Sequence, residues 1–392
     1  MSSKPGYMPG LDFVRLIASV AVVYVHWADW TQLDREQYAT ANEIEWLLTS
    51  PLHLNERLEF VGVAVFLLIS GMVISGAAFR ERGPEFLARR AVRLLPALWV
   101  AVLLAWTMVS LNLLPAVIPA DLGDLFLNGL LVNYLVPNTS EVLGLTWTLA
   151  VQFVFYFYVV ATMPLLKRWP WVPQAVAVTV VSVLISVVPP DGGPPFSFLR
   201  QVATFLPVLF IGQLIALVKS RKLPVGAGVA LGVLQYLLFI RADLTSETWP
   251  GGGDAHARTL AILVIVVLLA SRADGKLVGS RWVASASKRT YGIYLLHIPI
   301  GIPLRRLLEP ITGYWPAMCI AIVVVLVATE LMYRFVETPV TEWYRKRTKA
   351  RSKPAIREGT RGHERGRMHD HQGERAATGD GARPVLPGAP PR

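Results

Sequence analysis

The sequence predicts an all-α integral membrane protein, a bundle of about ten transmembrane helices with both termini in the cytoplasm. Three observations carry this. Hydrophobic residues fill 53% of the 392 positions and charged residues 17%, where a soluble domain is about a quarter charged. The apolar residues gather in blocks of about 16 to 22, the length that crosses a hydrocarbon core of ~30 Å. The loops between blocks alternate in charge.

The blocks place helices near 11–29, 60–79, 94–113, 146–166, 172–189, 198–218, 223–240, 257–271, 290–308 and 316–336. The first carries Asp12 and Arg15 and lacks a small-residue cleavage site, so it reads as a retained helix rather than a signal peptide. Residues 122–136 are too short to span and read as an interfacial helix. The span at 257–271 is the shortest and opens beside His256 and Arg258. Between helices, loop 80–93 holds Arg80, Arg82, Arg89, Arg90 and Arg93. Later basic loops hold Lys167 and Arg168, then Lys219, Arg221 and Lys222, then Arg272, Lys276, Arg281, Lys288 and Arg289. The alternate loops carry Asp34, Glu36, Glu43 and Glu56, then Asp121, Asp124 and Glu141, then Asp191, then Asp243, Glu247 and Asp254. Positive loops mark the cytoplasmic side of a bacterial inner membrane.

Residues 1–344 form the transmembrane domain, and 345–392 read as a basic disordered cytoplasmic tail. That tail holds thirteen Lys/Arg against five Asp/Glu and so supplies most of the net charge of +11. Outside it the chain is near neutral, which removes the argument for a nucleic-acid partner. The tail is too polar to build a core and would favour anionic lipid headgroups. His363, His369 and His371 lack a scaffold there to hold a metal. The single cysteine, Cys319, sits in an apolar run and reads as a buried structural thiol. No cofactor is expected to be bound permanently.

Ionisable groups inside spans are costly and mark function by default. The first helix has three: Asp12, Arg15 and His26. Arg15 and His26 are eleven residues apart, three whole turns, so they share a face roughly 16 Å apart along the axis. Asp12 can pair with Arg15 one turn away. Two stations on a polar path fit this spacing, as does a snorkelling arginine with an interfacial histidine. Arg90 and Arg93 point their guanidinium forks one way at a cytoplasmic helix end, suited to phosphates or to ordinary positive-inside flanking. Leu145-Thr-Trp-Thr-Leu-Ala-Val-Gln152 opens the fourth helix. Ser287-Lys-Arg-Thr-Tyr-Gly-Ile-Tyr-Leu-Leu-His297 opens the ninth, and Glu337-Thr-Pro339 ends the tenth, where Glu337 could pair with Arg15, Arg90 or Arg93. His297 alone is more often a packing histidine than a catalyst.

These pieces, in this order and topology, resemble the acyltransferase-3 family across about 11–340. The Leu-Asp-x-x-Arg opening, the Arg15-x10-His26 spacing, Gly62 to Gly71, Arg90-x-x-Arg93 with Pro96, Trp147 to Val151, Tyr294 to His297 and Glu337-Thr-Pro339 carry the resemblance. It implies transfer of an acyl group, acetyl or short-chain, from acyl-CoA to a hydroxyl of a sugar, glycan or macrolide-type natural product. His26 would be catalytic, with Arg15, Asp12 and Gln152 as the other residues of the reaction path. Arg90, Arg93, Glu337 and His297 would serve the donor. Such chemistry belongs to cell-envelope polysaccharide O-acetylation or to antibiotic biosynthesis. Two departures stand out: Gln152 where a carboxylate is usual, and Ala64 where an aspartate is common. Gln can orient a partner but brings no charge; Asp29, three residues after His26, could substitute. The rival readings are a transporter or exporter of a small metabolite, for which no inverted repeat is evident, and an inactive family member.

Overall fold

The computed structural model describes residues 7–31, 45–55, 58–116, 118–245 and 253–351, and every regular element among them is helical. Asp34, Glu36, Glu43, Glu56 and Glu247, the side chains of Asp29 and Asp254, and the tail past 351 with its three histidines lie outside the described residues. The chain divides into Met1–Glu342 and Trp343–Arg392. The described part of the second is the end of the last helix; the other elements belong to the first.

Its main helices are α1 (Pro9–Thr31), α2 (Glu59–Arg80), α3 (Gly83–Ser110), α4 (Leu122–Gly129), α5 (Trp147–Ala161), α6 (Met163–Arg168), α7 (Trp171–Val187), α8 (Phe196–Lys219), α9 (Val225–Leu244) and α10 (Gly253–Ala270). There follow α11 (Arg281–Ser287), α12 (Thr290–Leu296), α13 (Ile302–Thr312), α14 (Tyr314–Met332) and α15 (Thr338–Arg351). Six segments are long and apolar enough to cross a membrane: α1, α2, α3, α8, α9 and the run from α14 into α15. Three apolar helices of the expected set, Trp147–Ala161, Trp171–Val187 and Ala255–Ala270, are shorter.

The expected helix at 290–308 is interrupted. Pro299 and Pro303 each lack an amide proton, so the α-helical ladder cannot run through them. The chain answers with a π-helical stretch, His297–Gly301, between α12 and α13. A second π-helical stretch, Tyr333–Glu337, joins α14 to α15. The arginine segment read as a loop from 80 to 93 is helical from Gly83 onward. Pro84 in the first turn and Glu85 against the helix dipole start α3 there. The last helix likewise runs to Arg351, past the expected boundary at 345. Within 122–136 the first eight residues form a short helix, α4, whose N-terminus is closed by a capping box between Asp121 and Asp124, and a 3₁₀ turn follows at Asn133–Leu135. Cys319 is exposed, not buried. In a membrane helix an apolar run reports the bilayer as readily as the protein core, so composition could not place that thiol.

Helix α8 is central and crosses α2 with backbones in contact. A Cβ added at Gly71 would overlap the Leu209 carbonyl, and one at Gly212 would overlap the Leu68 carbonyl. Small residues at such a crossing are how membrane helices approach closely. Where α8 begins, Arg200 is buried, and its guanidinium donates to Ile185 O at 2.8 Å, Thr245 O at 2.6 Å and Thr245 Oγ1 at 2.8 Å. It therefore ties the ends of α7 and α9 to α8. Arg200→Met leaves these acceptors unsatisfied and costs about 2–3 kcal/mol. A fall of several degrees in the unfolding midpoint in detergent checks it.

Candidate active site

A cavity of about 350 Å³ opens among α1, α2, α3, α5 and α12. One end is cationic, with Arg15, Arg80, Arg90 and Arg93 on its wall and Glu81 as their acidic neighbour. Arg15 comes from the first turns of α1, where its Nη1 lies 3.1 Å from Asp12 Oδ1. Asp12 also accepts from Ser287 Oγ at 2.8 Å and from Tyr7 OH at 2.8 Å. It is a holder for Arg15 rather than part of the cavity wall. Arg90 lies 3.6 Å from Glu81 and over the Phe86 ring at 4.8 Å. Arg93 is exposed to the cavity and makes no ion pair among the described residues, while Arg15 stands within its electrostatic range. Two guanidiniums facing one space, one of them without an ion pair among the described residues, favour an anion between them.

The cavity then narrows into polar groups. Gln152 donates its amide to Ser70 Oγ at 2.6 Å. Tyr156, Tyr291 and Tyr294 line the same space. Tyr291 donates to Leu94 O at 2.9 Å, which pins α12 to α3. Tyr294 donates to Leu145 O at 2.6 Å and lies 2.6 Å from Thr148 Oγ1. Gln152, expected at the level that His26 approaches, is tied to Ser70 of α2.

His26 does not line the cavity. Its ring sits 5.3 Å from that of His297, which in turn is 6.3 Å from the ring of Tyr294. Tyr294 thus stands between the cavity and a pair of histidines. His297 is fully buried. Its Nδ1 lies 3.0 Å from Ile293 O, which can only accept, so Nδ1 carries the proton and Nε2 keeps a free lone pair. That Nε2 is buried without a partner. Trp27 packs on Gly301 and donates its indole to His297 O at 3.1 Å, locking α1 onto the π-helical stretch. Such stretches recur at functional sites.

Of the expected site residues, the cavity gathers Arg15, Arg90, Arg93 and Gln152, with Asp12 behind them. His297, expected on the donor side, joins His26. Among the described residues Glu337 makes no ion pair: Asp12 takes Arg15 and Glu81 takes Arg90. Its Oε1 is buried and unpartnered beside α12, within electrostatic reach of Arg93 and Arg289. Sequence reasoning missed a buried cluster elsewhere, in which His256 Nδ1 meets Asp243 Oδ1 at 3.0 Å and Asn55 Nδ2 lies 3.1 Å from Nε2. No group of three metal-ligating side chains occurs among the described residues.

A multi-pass helical membrane protein with an anion-favouring cavity beside two histidine rings 5.3 Å apart and tilted by 44° has the parts that group transfer within a membrane needs. Residues 8–334 match the model of an acyltransferase domain. The chain belongs to that acyltransferase-3 family. It is 26% identical to YrhL of Bacillus subtilis over 85% of this chain and 55% of the relative. The O-acetyltransferase OatA of Staphylococcus aureus is 25% identical over 86% of this chain and 58% of the relative. The peptidoglycan O-acetyltransferase OatA of Listeria monocytogenes is 22% identical, over 85% and 56%. The chain therefore spans little more than half the length of these relatives. No solved structure matches it.

Proposed function

We propose that this chain is a membrane O-acyltransferase that moves an acetyl or other short acyl group from acyl-CoA to a hydroxyl of a glycan. The observation that carries it is the cationic cavity reaching, through Tyr294, to the His26–His297 pair. The phosphates of the donor sit on Arg93 and Arg90, with Arg15 deeper, and the pantetheine arm runs along the apolar wall towards Tyr294. His26 takes the proton of the acceptor hydroxyl as its oxygen attacks the thioester carbonyl. The C–S bond breaks, and the proton passes from His26 to the departing CoA thiolate. The His297 Nε2 lone pair beside His26 supplies a second acceptor for that proton. Ten crossings of a bacterial cytoplasmic membrane, with the arginine end inside, bring the donor from the cytoplasm. The names of the relatives favour a glycan acceptor over a macrolide.

The test is free CoA release by the purified chain in detergent, given acetyl-CoA and a panel of glycan fragments, sugars and macrolides. Acceptor-dependent release supports the reading; its absence across the panel, with acetyl-CoA bound, sinks it. In the same assay Arg93→Ala raises the KM for acetyl-CoA about tenfold or more, because a charge-assisted phosphate contact is lost. An unchanged KM would move the donor elsewhere.

A further inference from the structure

Gln152 brings no charge to the reaction, yet a carboxylate stands just before α5. Glu141 Oε1 accepts from Tyr134 OH at 2.6 Å. The same phenol oxygen lies 2.7 Å from Thr146 Oγ1. Tyr134 has one proton and gives it to the carboxylate, so Thr146 must donate to Tyr134. A one-way chain results, Thr146 to Tyr134 to Glu141, ending on an acceptor. The Tyr134 ring is clamped against Phe198, with centroids 5.4 Å apart and planes 18° apart. Thr146 is fully buried and lies between Leu145 and Trp147. Leu145 O is the acceptor for Tyr294 OH, and Thr148 meets the same hydroxyl.

We propose that Glu141 is a positioning residue of the transfer reaction, holding through Tyr134 and Thr146 the turn that fixes Tyr294 between the donor cavity and the histidine pair. The inference rests on the function proposed above and assigns the site a carboxylate outside its cavity wall. Glu141 is reached by solvent yet crowded by protein. The titratable groups facing it are Tyr134, from the 3₁₀ turn Asn133–Leu135, and Tyr294, from α12. No Lys, Arg or His among the described residues stands against it. Desolvation holds its carboxyl above the ordinary carboxylate range. Its charge is thus lost at a milder pH than that of a surface acid, and the strength of the chain goes with it.

The experiment uses the full chain in detergent, with Glu141→Gln, Tyr134→Phe and the double variant. Each single change lowers kcat about tenfold, the value of a charge-assisted hydrogen bond, and leaves the KM for acetyl-CoA unchanged. The double variant is no worse than either, since both break one chain. Wild-type kcat falls as pH drops through the raised carboxyl pKa, and Glu141→Gln loses that acid limb. A variant that keeps wild-type kcat and its acid limb, or two effects that multiply, overturns the proposal. Infrared spectroscopy reads the chain without turnover. The carboxyl band absent from Glu141→Gln should shift in Tyr134→Phe, and an unshifted band also overturns it. A shifting band in a wild type that releases no CoA would instead overturn the proposed function, with the positioning role falling beside it.

Discussion

His26→Ala should lower acceptor-dependent CoA release by about a thousandfold, in the middle of what a positioned general base contributes, while acetyl-CoA still binds. The separation of effects follows from the geometry. His26 lies outside the cavity wall, against His297 and one ring beyond Tyr294, so its loss leaves the arginines in place. Donor affinity, measured by calorimetry on wild type and variant, should agree within experimental scatter. Equal turnover in both proteins would remove His26 from the mechanism. Loss of donor binding together with turnover would show that α1 had shifted, and His26→Gln, closer in shape, would then decide the matter.

Gly71→Ala should prevent the bundle from closing. The added methyl would overlap the Leu209 carbonyl and crowd Gln213 N, both backbone atoms that no side-chain rotation can move aside. Overpacking a helix crossing at its contact point belongs to the most costly class of substitution, more than about 4 kcal/mol. Gly226→Ala, on α9, is the control, because a Cβ there meets nothing within 4 Å. That change should stabilise by a few tenths to about 1 kcal/mol through helix propensity. Size-exclusion profiles and thermal unfolding in detergent give both readouts. A monodisperse, normally stable Gly71→Ala protein would mean that α2 and α8 can separate without loss of the fold.

The helical class was legible because bilayer-length apolar blocks have a single physical solution, the helix that satisfies its own backbone. The first-helix spacing was legible for the same reason: Arg15 and His26 must share a face, and they do lie at separate stations, one on the cavity and one beyond it. Pro299 and Pro303 stood in the sequence, yet the π-helical stretch at His297 and its contact with Trp27 through Gly301 are seen only in the structure. Which of Arg15, Arg90 and Arg93 faces Glu337 was not legible, because charge and proximity to a helix end do not reveal competitors. Asp12 and Glu81 are one local turn or loop from their arginines and claim them first. Glu141 was visible only as one acid in a loop, since its partner Tyr134 is seven residues away across an irregular turn.

By itself, then, the sequence determined the helical membrane class, the first-helix pair and the arginine cluster, all set by periodicities within a single helix. Only the tertiary structure decided that Gln152 faces Ser70, that His297 stands against His26, and that Tyr294 joins cavity to histidines. Those contacts arise between helices far apart in the chain, and which faces meet is set by close packing at residues such as Gly71, Gly212 and Gly301, not by any local period.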